Sequence, residues 1–134
     1  MMRAKLLGFV LVVLATPALA DCPLDLGRGT GIVFFSEHFI IALRPDPLRL
    51  ETGGTFALIL NVCTKGGEPA DLVSIDAQLD EKHVIGEVPN IVSSGSGRYR
   101  AEGLTLTAPG SWEIGFNVRE GKNVERLTHD LIVN

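Results

Sequence analysis

From residue 38 to the end of the chain, apolar residues recur at every second position in short runs, and each run is stopped by glycine, proline or a polar turn. That spacing puts one apolar face on a strand, whereas a helix needs apolar residues three and four apart. The pattern is clearest near the C-terminus. Trp112, Ile114, Phe116 and Val118 alternate with Glu113, Asn117 and Arg119, and Glu120-Gly121-Lys122-Asn123 turns the chain into a further run at 124–133. Residues 72–79 alternate as cleanly, which predicts Val73, Ile75, Ala77 and Leu79 on one face and Ser74, Asp76 and Gln78 on the other. Residues 98–107 read as a strand with a bulge at Gly103, where the apolar phase shifts.

Two further strands precede these. Residues 38–44 stop at Pro45 and Pro47, which suits an edge strand because proline cannot donate to a ladder. Gly53-Gly54 leads into 55–63, which is apolar on both faces. Phe56, Leu58, Leu60 and Val62 are expected on the core side, and Ala57, Ile59 and Cys63 on a second face that needs cover. Ile32 to Phe35 are expected to fold back over that second face and to supply a seventh strand if they pair. A long loop is expected over 80–96. Six to seven short strands separated by turn signals predict an all-β, immunoglobulin-like antiparallel β-sandwich. Trp112, Phe116 and Tyr99 are its expected core aromatics.

The first twenty residues obey a different logic. Arg3 and Lys5 precede the apolar run Leu6–Leu14, and Ala18-Leu19-Ala20 is a small-x-small cleavage site. The run falls short of the ~20 residues of a spanning helix, so a cleaved signal peptide is expected over 1–20, with no transmembrane segment in the mature chain. Asp21 stands where a lipobox needs a small residue before Cys22, which argues against lipidation. Residues 21–37 then form an N-terminal arm, and 38–134 the sandwich domain. Cleavage leaves 114 residues with ten Lys and Arg against sixteen Asp and Glu, a net charge of −6. That balance, without a basic cluster, excludes a nucleic-acid partner. Periplasmic or secreted localisation follows.

Cys22 and Cys63 are the only cysteines, and export permits them to pair. Such a bond stabilises by at most roughly 4 kcal/mol on the chain-entropy view, and it would tie the arm to the sheet. No C-x-x-C redox pair occurs. No G-x-S-x-G elbow is present, and Gly27-Arg28-Gly29-Thr30-Gly31 precedes a strand and lacks the Lys-Ser/Thr of a phosphate loop. His129 shares parity with Leu127, Leu131 and Val133 and is expected at the core as a hydrogen-bonded residue. His38 reads as ordinary surface. His83 lies in the long loop among Asp80, Glu81 and Glu87, the one grouping that offers metal ligands. One imidazole among carboxylates is poor in the N and S donors that transition metals prefer, so no cofactor is expected and copper is the alternative. The chain is read as non-enzymatic.

Residues 38–134 resemble the YtkA-like domain family of small exported β-sandwiches, related to the FixH-like group. The matching segments are Ser74-Ile-Asp-Ala-Gln-Leu79, Gly97-Arg-Tyr-Arg-Ala-Glu-Gly-Leu104 and Pro109-Gly-Ser-Trp-Glu-Ile114. Pro45-Asp-Pro47, Gly53-Gly54-Thr-Phe56 and Gly67-Glu-Pro69 match the family's opening strand and turn. The resemblance implies a non-catalytic accessory or interaction module with a periplasmic or membrane-bound protein partner, in the context of metal or haem redox enzyme assembly. It also implies a copper site of the Met-Pro-x-His-x-His-Gly-Met type after the 72–79 strand. Leu79 and Asp80 stand at the methionine and proline positions, and His83 alone carries over. Weak metal binding by the 80–96 loop is therefore the alternative function.

Export predicts a mature chain beginning at Asp21 with an unmodified Cys22. Intact-mass measurement of the exported protein checks this, and an acylated Cys22 or a retained leader would overturn it.

Overall fold

A computed structural model describes Cys22, Leu24, Leu26 and residues 31–85 and 89–134. The expected signal peptide, most of the arm between Cys22 and Gly31, and Glu87 lie outside the described residues. Within them the chain forms eight strands: β1 (Ile32–Phe35), β2 (Phe39–Asp46), β3 (Thr55–Thr64), β4 (Asp71–Gln78), β5 (Asn90–Gly95), β6 (Arg98–Thr105), β7 (Gly110–Glu120) and β8 (Asn123–Val133). All pairings are antiparallel. The described residues contain no helix long and apolar enough to cross a membrane.

Two sheets face each other. One has five strands in the order β1-β2-β3-β6-β5, and the other three in the order β4-β7-β8. With β1 set aside, these are the A-B-E-D and C-F-G orders of a constant-type immunoglobulin sandwich. The alternation of β7 creates the core. Trp112, Ile114, Phe116 and Val118 are all buried and meet Ile41, Leu43, Leu58, Leu60 and Val62 of the wider sheet in one cluster. Trp112 satisfies its indole N–H by donating to the Ala108 carbonyl at 2.8 Å, so its burial leaves no polar group unpaired. Tyr99 is half-buried at the cluster's margin and donates its hydroxyl to the Ala70 carbonyl at 3.4 Å.

Several expectations are corrected. The strand at 38–44 is no edge: β2 lies between β1 and β3, and it runs through Pro45 to Asp46. Pro45 is tolerated because β1 ends opposite Leu43, so no neighbour on that side requires its missing N–H. In β4, Leu72 pairs with Val118 and Ser74 with Asn117, leaving Val73 as a bulged residue. Leu72 therefore takes the inward position and Val73 is 48% exposed, while Ile75 and Ala77 stay buried as expected. The bulge read at Gly103 is present: Phe56 opposes Leu104 and Leu58 opposes Ala101, with Gly103 at φ +78. The loop expected over 80–96 instead contains β5, whose polar Ser-Gly sequence hides a strand held by backbone pairing to β6. Ile32 to Phe35 extend the sheet sideways instead of covering it, and Cys22 and Leu24 lie on the outer face beside Ile40 and Cys63.

The Cys22–Cys63 disulfide is formed, with 5.8 Å between the Cα atoms. It leans on Gly97, where a Cβ would come within 2.7 Å of the Cys22 sulfur and 2.5 Å of the Val62 carbonyl oxygen. On the outer face of the small sheet, Arg126 of β8 lies across Gly115 of β7 and donates to Asp76 of β4 at 2.5 Å. Asn117 donates to Ser74 and Asp76 at 3.0 and 3.3 Å, completing a polar lattice over all three strands.

Replacing Trp112 by Ala should cost about 3–5 kcal/mol, the usual loss for emptying a large aromatic site. Urea unfolding of the oxidised protein measures it, and an unchanged midpoint would show the inward phase of β7 to be wrong.

Candidate functional site

The turn after β4 brings together only part of the expected metal set. Asp80 accepts the backbone N–H groups of Lys82 and His83 at 2.8 and 2.9 Å, and its carboxylate lies 2.9 Å from His83 Nδ1. Leu79 donates to the His83 carbonyl and Ile85 to the Ala77 carbonyl, which closes the segment into a tight reverse turn. The Asp80 carboxyl is held below its ordinary value by the His83 ring and by the Lys82 amide. This is an Asx-type turn in which Asp80 is spent on backbone donors. Glu81 is exposed, and Glu87 falls outside the described residues. Among the described residues, Asp80 is the carboxylate within hydrogen-bond reach of His83.

A denser cluster forms where the sequence pointed to plain surface. Ser36, Glu37 and His38 make the β1–β2 turn, and Glu125 reaches it from β8, 87 residues along the chain. Glu125 Oε1 accepts the Ser36 hydroxyl at 2.5 Å and the His38 amide at 3.0 Å, and Oε2 takes His38 Nδ1. Glu37 lies 3.9 Å from His38 Nε2. The Glu125 carboxyl is pulled down to about 2, first by the Ser36 hydroxyl and then by the His38 ring. His38 is raised above 6.5, chiefly by its hydrogen bond to Glu125. Ser36 donates its hydroxyl hydrogen to the Glu125 carboxylate and not to the imidazole, which is not the hydroxyl–imidazole arrangement of a Ser–His nucleophile pair. Both oxygens of Glu125 are engaged by hydrogen bonds, which makes the cluster a clasp between two strands and not an open ligand set.

Among the described residues β1 is the outermost strand of its sheet, and the clasp sits at its end. Ser36 N–H donates to the Phe39 carbonyl at 3.0 Å, so the hydrogen-bonded pairs of the hairpin are 36/39, 34/41 and 32/43. The N–H and C=O groups of Val33 and Phe35 consequently point away from β2. Phe34 turns inward, its ring 5.5 Å from Phe116 and stacked on His129 at 5.1 Å. His129 is thus a half-buried ring partner, on the inward parity its sequence position suggested. Val33 and Phe35 turn outward and are 44% and 62% exposed. Phe35 lines a hollow of about 340 Å³ with Leu24, Ile40 and the disulfide, and Lys65 Nζ lies 5.9 Å from its ring centroid at the rim.

The other sheet edges differ. β4 carries the Val73 bulge, β5 is broken in register between Ser93 and Gly95, and β8 presents Arg126 and Asp130. Bulges and charges are the usual guards of an edge, and β1, with Ile-Val-Phe-Phe, has neither. No single-sequence signal could have found the clasp, since its partners are brought together only by the sandwich. The edge was in principle readable from the uncharged run at 32–35.

Compared with known families, curated proteins and solved structures, the chain matches none.

The donor chemistry makes a definite prediction for copper. Met1 and Met2 are the only methionines, both precede the expected cleavage site, and both cysteine sulfurs are in the disulfide. Cu(I) favours thiolate and thioether donors, and none remains. Chelator competition should show no Cu(I) bound tighter than roughly micromolar, about −8 kcal/mol, in the mature protein or in His83→Ala. Tight binding lost in that variant would establish a copper site at His83.

Proposed function

We propose that this chain is a non-catalytic, exported accessory module of the YtkA-like kind, which contacts a partner protein through the open edge of β1. The observation that carries the reading is the pair of outward-facing backbone units at Val33 and Phe35 on a strand that, among the described residues, has no neighbour on that side. A partner segment in extended conformation gains main-chain hydrogen bonds there, and the hollow beside Phe35, Ile40 and the disulfide offers a place for an apolar side chain.

The disulfide agrees with a compartment outside the reducing cytosol. The FixH-like relationship suggests a periplasmic or membrane-bound partner engaged in building metal or haem redox enzymes. In that role the module carries no reaction of its own, and the sandwich serves to hold the edge rigid and the hollow in shape.

The test places a photo-reactive residue at position 35 and, as a control, at position 92 on the opposite edge, in cells exporting the protein. A discrete adduct is expected from 35 and not from 92. Val33→Pro deletes an outward N–H without touching the β1–β2 ladder, so it should abolish the adduct while leaving the melting temperature near wild type. Equal adducts at both edges, or an adduct indifferent to Val33→Pro, would sink the reading.

A further inference from the structure

We infer that the Ser36–His38–Glu125 clasp is a pH-dependent fastener for β1, and so controls how firmly the partner-contacting edge is presented. The consequence for partners rests on the edge reading above. The fastening itself does not.

β1 has four residues and one paired neighbour, and among the described residues no strand lies beyond it. Its ties to the other sheet are few. Phe34 anchors its middle on Phe116 and His129, and the clasp anchors the turn at its end to β8. Among the described residues, losing the clasp leaves the Phe34 ring contacts, the Lys65–Phe35 approach and one hydrogen-bonded flank to hold the strand in place. Short edge elements with so few contacts open locally at far lower free energy than the core.

The charges around His38 come from three elements. Glu37 lies beside it on its own turn, Glu125 faces it from β8, and Lys65 acts on it from the β3–β4 turn while donating its backbone N–H to the His38 carbonyl at 2.9 Å. Two carboxylates against one ammonium favour the imidazolium form, and His38 is correspondingly raised above 6.5. A group raised on folding stabilises fully below its unfolded value and loses that contribution as the pH climbs through its folded value. Glu125 runs the other way: its contribution is complete above 4.5 and fades only as the pH falls toward about 2. The clasp is therefore tightest between 4.5 and 6.5, where carboxylate and imidazolium coexist. Above that window His38 becomes neutral. Its Nδ1–H still donates to Glu125, but without the ionic attraction, so β1 loosens by degrees and is not released outright.

Amide exchange of the full mature protein, read residue by residue by NMR, tests this without any partner. Protection of the Ile32 and Phe34 amides should fall about three- to tenfold between roughly pH 6 and pH 8.5, as His38 loses its proton. Val92 on β5 should show no such step once intrinsic exchange is removed. In Glu125→Gln the step should vanish and the His38 titration should move back toward 6.5. Should that variant not fold, His38→Gln carries the same expectation of a flat profile. Equal β1 protection across the range in the wild type, or a step that survives either folded variant, would overturn the inference. Failure of the cross-linking experiment would leave this result standing, and a flat exchange profile would leave the edge reading intact.

Discussion

Everything in this sandwich is hung on one buried strand face. Trp112, Ile114, Phe116 and Val118 give β7 an unbroken apolar side, and its central place in the smaller sheet lets that side meet β2 and β3 at full width. Three strands cannot cover five, however. The outermost strands of the wide sheet, β1 and β5, overhang, and each reaches the core through a single inward residue: Phe34 from β1 and Ile91 from β5, both only partly buried. The overhang explains why β1 keeps an exposed outer row and why it needs fastening from outside the core.

Two fastenings hold the segment that leads into the sandwich. The disulfide ties Cys22 to the far end of β3 on the outer face, and the clasp ties the β1–β2 turn to β8 across the inter-sheet seam. One is covalent and indifferent to acidity, and the other is ionic and responsive to it. Between them stands β1, the least guarded edge among the described strands. A strand both tied down at its flanks and bare along its side is well suited to lend its backbone to another chain.

The fold was legible wherever one face of a strand is wet. β7 and β8 alternate because the small sheet faces solvent on its outside, and their periodicity survives in plain view. β3 was readable as a strand, yet its two apolar faces concealed how the second was covered. The phase error at Val73 arose because a bulge inserts a residue without altering composition. β5 escaped notice because Ser93, Ser94 and Gly95 bury almost nothing, and its order comes from β6 backbone groups that carry no side-chain signature. Of the candidate site, His83 and Asp80 were adjacent in sequence and are adjacent in space. His38 and Glu125 are joined by topology alone, and a chain read in one dimension has no means of pairing them.

The arrangement of Arg126 over Gly115 reaches beyond this one chain. A Cβ at position 115 would lie 2.2 Å from the guanidinium, so the arginine and the missing side chain occupy the same volume. Any descendant that acquires alanine or serine at 115 must also surrender or redirect Arg126, and with it the hold on Asp76. In a set of relatives the two positions should therefore change in step, as glycine with arginine or as a side chain with a shorter partner. Asp76 would then keep Asn117 as its donor. Such a linked pair, spread over two strands, is a signature by which distant kin of this sandwich could be sorted even where little else in their sequences aligns.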